Sequence, residues 1–180
     1  MAGRFETLAN LAIVAVCVAV GTQVVITGVR SAQSAQSAPT PPKREVYKPG
    51  ERMTPLTPID FARADQTLLL VVRDGCQFCE NNMAFYRDLA SALKGNETAV
   101  QLVAVTPTAP QTTHAYLGRY GVEIPLVSQS TFDQLKISGT PTLILTNRDG
   151  IVSNVWVGQL SDSRQAEVLR ALHTSARARS

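Results

Sequence analysis

The chain has 180 residues, of which 44% are hydrophobic and 17% charged, with a formal net charge of +3. That length leaves room for one domain of ordinary size, roughly 100 to 150 residues, plus a further segment. From Ile59 to Ser180 there are 11 Lys and Arg against 11 Asp and Glu, so this part is neutral. It lacks the basic face that phosphate neutralisation requires, which excludes a nucleic-acid partner.

Leu8 to Val29 runs 22 residues without a charge. At about 1.5 Å per residue a helix of that length spans roughly 33 Å, enough to cross a bilayer. A cleaved signal peptide usually has a shorter apolar stretch of about 7 to 15 residues. Small residues at Ser31, Ala32, Ser34 and Ala35 nevertheless leave cleavage open. The expectation is a retained single-pass transmembrane anchor over residues 1–30, inserted through residues 8–29, with Cys17 acting as a small apolar side chain in lipid. The flanking charges nearly balance, Arg4 on one side and Arg30, Lys43 and Arg44 on the other. Orientation therefore rests on the chemistry below, which suits a domain outside the cytoplasm, on the periplasmic side.

Residues 31–58 are rich in Ser, Ala, Gln and Pro, and such a composition reads as an extended tether whose last part, from Val46, packs on the domain. A thick apolar run, Leu68 to Val72, follows; apolar on both faces, it reads as a central strand covered by helices on both sides. After a turn at Asp74-Gly75, Glu80 to Lys94 carries Met83, Tyr86, Ala90 and Leu93 at helical spacing, with Gly95 as a stop. Ala99 to Val105 is a second strand, Gln111 to Tyr120 a weaker helix, Pro125 to Val127 a short extended piece and Thr131 to Leu135 one helical turn. Thr142 to Thr146 and Ile151 to Val157 form a hairpin around Asn147-Arg148-Asp149-Gly150, with Trp156 packing from the returning strand. Asp162 to about Ser175 closes the chain as a helix. The class is α/β, with a mixed central sheet over residues 59–180: strands joined by a helix run parallel, those joined by a tight turn antiparallel.

Cys76-Gln77-Phe78-Cys79 lies between the first strand and the first helix. A thiol at a helix N-terminus faces unpaired backbone N–H groups that stabilise its thiolate, the nucleophile of disulfide exchange. Two intervening residues let Cys79 reach back and close a reversible disulfide, so Cys76 is expected to attack and Cys79 to resolve. Zinc is a poor alternative, because only Cys17, His114 and His173 remain as further ligands. A purely structural bridge usually closes a longer loop. Gly139-Thr140-Pro141-Thr142 opens the later strand, where a proline without an N–H is at home. Alongside a Cys-x-x-Cys pair, the sharper expectation is a cis-proline loop facing the cysteines, with the Thr140 backbone pairing to an extended substrate.

These elements, with the hairpin at Asn147 to Gly150, resemble the thioredoxin superfamily, specifically its membrane-anchored TlpA/ResA-type envelope proteins. The resemblance covers about residues 46 to 180, and the strand and helix between Ala99 and Leu135 resemble that subgroup's insertion. It implies a thioredoxin-like three-layer sandwich, no bound cofactor, no metal, a cis peptide at Pro141 and redox chemistry at Cys76 and Cys79. The chain departs from the family pattern at Gly75, where a tryptophan often stands, at Ala84, where many members carry proline, and in lacking an acid in the first strand. Asp74 and Glu80 flank the cysteines and read as turn and first-turn residues. Arg73 occupies the place where a peroxidase of the peroxiredoxin type has threonine.

The expected function is thus a membrane-tethered thiol:disulfide oxidoreductase acting on protein dithiols and disulfides, with a membrane-bound or soluble redox partner. Two alternatives stand beside it: an assembly or binding subunit that keeps the fold without turnover, and a DsbA-like oxidant.

Overall fold

The computed structural model describes residues 46–177. The anchor expected over 8–29, Cys17 and the first part of the tether lie outside them. Among the described residues, no helix is long and apolar enough to cross a membrane.

After a short 3-10 turn at Phe61–Arg63, the elements are β1 (Gln66–Val71), α1 (Gln77–Glu80), α2 (Met83–Leu93), β2 (Val100–Thr106), α3 (Pro110–Gly118), β3 (Leu126–Gln129), β4 (Thr142–Asn147), β5 (Val152–Val157) and α4 (Asp162–Arg177). The five strands form one mixed sheet in the order β3-β2-β1-β4-β5. β1 pairs in parallel with β2, as Leu69 with Val103, and β2 in parallel with β3. β4 runs antiparallel to both β1 and β5. Every residue of β1 is buried, as a central strand requires.

The hairpin turn uses the chemistry its sequence carries. The Asn147 side-chain oxygen accepts hydrogen bonds from the backbone N–H of Asp149 at 3.0 Å and of Ile151 at 2.9 Å. Gly150 adopts φ +70, and a Cβ there would approach the Phe61 ring to 3.2 Å, so any other residue is strained at this turn.

Two apolar clusters lie on opposite faces of the sheet. On one face Leu68, Leu70 and Ala104 are buried with Met83, Tyr86 and Leu89 of α2, Tyr116 and Leu117 of α3, and Val168 and Leu172 of α4. Both parallel connections step in the same direction, β1 to β2 to β3. Right-handed crossovers then place α2 and α3 on the same face.

The other face corrects the expectation of helices on both sides. Leu69, Val71, Val103, Val105 and Ile144 are covered there by Tyr47, Met53 and Leu56 from the segment before β1, and by Leu135 and Ile137 from the β3–β4 connection. Tyr47 and Met53 are each only 3% exposed. The segment is pinned to the sheet edge by an antiparallel bridge between Arg52 and Ile151, with Gly50 N–H donating to the Val152 carbonyl at 2.8 Å. The last part of the tether, from Val46, thus packs on the domain as its sequence led us to expect.

A second correction concerns the first helix, expected to run unbroken from Glu80. α1 is a single turn, and the chain departs from helix at Asn82, φ −108 and ψ 7, before α2 starts. Asn82, 2% exposed, uses its side chain elsewhere. Its oxygen accepts from Leu160 N–H at 2.9 Å and its amide nitrogen donates to the Leu160 carbonyl at 3.0 Å. Asn81 adds a bond to the Gln159 side chain at 3.0 Å. Together they tie the cysteine turn to the loop between β5 and α4. Asn82→Ala leaves the N–H of buried Leu160 without a partner and its carbonyl with only the Gln165 side-chain amide at 3.3 Å, and a destabilisation of about 1 to 3 kcal/mol is expected in urea unfolding. An unchanged midpoint would show the clamp to be dispensable.

Candidate active site

β1 ends at the surface of the sheet, and Asp74-Gly75 turns the chain so that Cys76 caps α1; Gly75 adopts φ +68 to make that turn. The backbone N–H of Cys79 donates to the Cys76 sulfur at 3.2 Å. The Cys76 carbonyl accepts from Cys79 and Glu80 N–H at 2.9 and 3.0 Å. Both cysteines are free thiols and both are buried, Cys76 to 5% exposure and Cys79 completely.

Cys76 and the loop before β4 meet across 64 residues of sequence. The peptide between Thr140 and Pro141 is cis, as the sequence led us to expect. A second cis bond joins Thr57 to Pro58, which the sequence reading did not anticipate. The Cys76 S–H donates to the Thr140 carbonyl at 3.5 Å, and the Thr140 hydroxyl donates to the Cys76 sulfur at 3.5 Å. Gly158 N–H holds the Pro141 carbonyl at 2.8 Å, and the Thr142 hydroxyl holds that of Gly139 at 2.7 Å, so the loop is braced on both sides. The four residues singled out from sequence, Cys76, Cys79, Thr140 and Pro141, are thus brought together.

The two thiols are electrostatically unlike. For Cys76, burial raises the pKa, but hydrogen bonds from Cys79 and Thr140 and the charge of Arg73 outweigh it, and the net shift is downward from 9.0. For Cys79, burial is again the largest influence, reinforced by its bond to Cys76, and the thiol is pushed up to about 12. The Cys76 sulfur therefore ionises more easily than that of Cys79. The backbone N–H expected to stabilise the thiolate is that of Cys79, and side-chain hydrogen bonds from Cys79 and Thr140 add to it.

Around the pair, Phe78 is 59% exposed and presents an apolar ring beside the thiols. Tyr86 and Tyr116 are buried, and their hydroxyls have no hydrogen-bond partner. The sequence marked Tyr86 only as a core position and passed over Tyr116. His114 is exposed and lines a separate groove of about 900 Å³ near the C-terminal half of α2, with Arg87, Lys94 and Ile124. Trp156 is buried in the helical-face cluster, the packing role its sequence position suggested. Among the described residues, no group of His, Cys, Asp and Glu could hold a metal ion.

No family model matches the chain, and no curated protein matches it in sequence. Solved structures do. A thiol-disulfide isomerase from Corynebacterium glutamicum aligns with TM-score 0.51 at 19% identity, over 72% of this chain and 93% of that one. The thioredoxin domain of a thiol-disulfide oxidoreductase from Bacteroides vulgatus aligns with TM-score 0.56 at 12% identity, over 70% of this chain and 99% of that one. With a five-stranded mixed sheet, a Cys-x-x-Cys turn after its central strand and a cis-proline against the first cysteine, the chain has the thioredoxin fold.

Proposed function

We propose that the protein is a thiol:disulfide oxidoreductase that exchanges disulfides with other proteins, tethered to a membrane through residues 8–29 with the domain on the outer side. The observation that carries the chemistry is the asymmetry of the pair: Cys76 is lowered and held against Thr140, while Cys79 beside it stays protonated.

In the reducing direction, the Cys76 thiolate attacks a substrate disulfide. A bond forms between Cys76 and one substrate sulfur, the substrate S–S bond breaks, and the departing sulfur leaves as a thiolate that takes up a proton. Cys79 then loses its proton and attacks the Cys76 sulfur. The Cys76–Cys79 disulfide forms, the bond to substrate breaks, and the second substrate sulfur leaves with a proton. Two electrons and two protons pass to the substrate, and a redox partner of the same dithiol class must restore the thiols. Thr140 and Pro141 would align an extended substrate segment beside the attacking sulfur. The exposed Phe78 ring offers that segment an apolar contact.

Tethering would hold the domain close to membrane-bound donors and to proteins being exported, raising their effective concentration. Likeness in fold to thiol-disulfide isomerases and oxidoreductases supports the reading.

The test is insulin reduction by the full-length chain with dithiothreitol as electron source, beside Cys76→Ala. Turnover by the parent and background rate for the variant are expected. Equal rates would remove the enzymatic reading and leave a binding subunit. The equilibrium potential of the pair then fixes direction: about −270 mV marks a reductant, about −120 mV an oxidant.

A further inference from the structure

Resolution of the mixed disulfide asks Cys79 to give up a proton inside an apolar pocket. No Asp, Glu, His, Lys or Arg is fully buried among the described residues; the nearest acid, Asp74, is half-buried, two residues before Cys76, with one carboxylate oxygen shielded and without a hydrogen-bond partner. Two buried hydroxyls are present instead. Met83 and Tyr86 lie in the first turn of α2, directly after the cysteine turn, and both are buried in one cluster with Cys79. Long side chains on a helix lean toward its N-terminus, which carries the Tyr86 ring back toward Cys79. Tyr116 enters the same cluster from α3. Tyr86 is 1% and Tyr116 2% exposed, and neither hydroxyl has a hydrogen-bond partner. A buried hydroxyl left unpaired is costly, and such groups in folded proteins call for an explanation.

Resting on the redox reading above, we propose that the phenol hydroxyls of Tyr86 and Tyr116 direct their O–H dipoles to Cys79 and stabilise it as its proton leaves, directly or across one water. The phenols are suited to this because they remain protonated. After burial, which dominates, negative charge on Cys79 is the next influence holding each phenol above its ordinary pKa. A thiolate there therefore finds donors rather than competing anions. The proton leaves with the substrate sulfur, and the phenols gain and lose none. Other groups bear on the same cluster. Arg73 and Thr140 act on the cysteines, Glu80 acts on Tyr116 and Tyr120, and the Arg119 guanidinium lies 5.4 Å over the Tyr116 ring. Tyr86→Phe and Tyr116→Phe leave all of these in place.

The experiment mixes the reduced full-length chain, carrying Cys17→Ser so that only the pair reacts, with 5,5′-dithiobis(2-nitrobenzoate) and follows nitrothiophenolate release by stopped flow. Cys76 attack releases the first equivalent, and Cys79 resolution the second. In the double variant Tyr86→Phe/Tyr116→Phe the first phase is expected to be unchanged. The second is expected to slow about tenfold, with its pH profile moved to higher pH, as for loss of hydrogen bonds to a charged group. Because the hydroxyls are unpaired in the dithiol form, the thermal midpoint is expected to stay or rise. An unaltered second phase would overturn the proposal, and so would a lowered midpoint, which would show the hydroxyls to be structural. Release of a single equivalent by the parent chain would instead defeat the redox reading itself.

Discussion

On the proposed reading, Cys79→Ala converts the protein from a turnover catalyst into a covalent trap. Cys76 loses the hydrogen bond from the Cys79 side chain, its largest stabilising contact, but keeps the Thr140 hydroxyl, the backbone N–H of residue 79 at 3.2 Å and the charge of Arg73, all of which favour its thiolate. Attack on a substrate disulfide therefore continues. What disappears is the sulfur three residues away, whose intramolecular attack has a high effective concentration. The lifetime of the mixed disulfide is expected to lengthen by about 10³-fold or more. Non-reducing gels of the variant with a disulfide-bonded substrate should show an adduct that dithiothreitol removes. Absence of an adduct, with Cys76 still alkylatable, would show that Cys76 is not the attacking thiol.

The second large effect is in alkylation. Only the thiolate reacts, so the rate at a given pH follows the ionised fraction. Cys76 lies below 9.0 and Cys79 near 12. At pH 7 the ionised fractions then differ by at least about 10³-fold. Of these two thiols, iodoacetamide should label only Cys76 at neutral pH. Label at Cys79 should appear only as the pH rises toward the value that burial imposes on it. Mass spectrometry of peptides after a timed quench reads both sites. Comparable labelling at pH 7 would mean that the two thiols do not differ, and the division of roles would lose its basis.

The parts of the site legible in the sequence are those where short-range chemistry dictates the outcome. A run such as Leu68 to Val72 can only be an inner strand, a Cys-x-x-Cys after it falls at a helix start, and Thr140-Pro141 enters β4 because proline suits a strand's first position. The break at Asn82 was hidden because it depends on Leu160, 78 residues away. The only local hint was a pair of asparagines, residues that bond to backbone in preference to continuing a helix. The polar behaviour of Tyr86 was hidden for a different reason. Helical spacing says which face a residue occupies, but whether a hydroxyl on that face finds a partner is decided by the residues packed around it. The composition of 31–58 signalled a tether, yet Tyr47, Met53 and Leu56 are isolated apolar side chains among prolines, with no period to announce them.

Those three side chains have a practical consequence. β1 presents Leu69 and Val71, both wholly buried, to a cover made of irregular chain rather than helix. Shaving the protein back to the first regular element would uncover an oily patch on the central strands, and such patches make fragments clump. The smallest fragment fit for solution work therefore keeps everything from Val46 onward, however loop-like its beginning looks on paper.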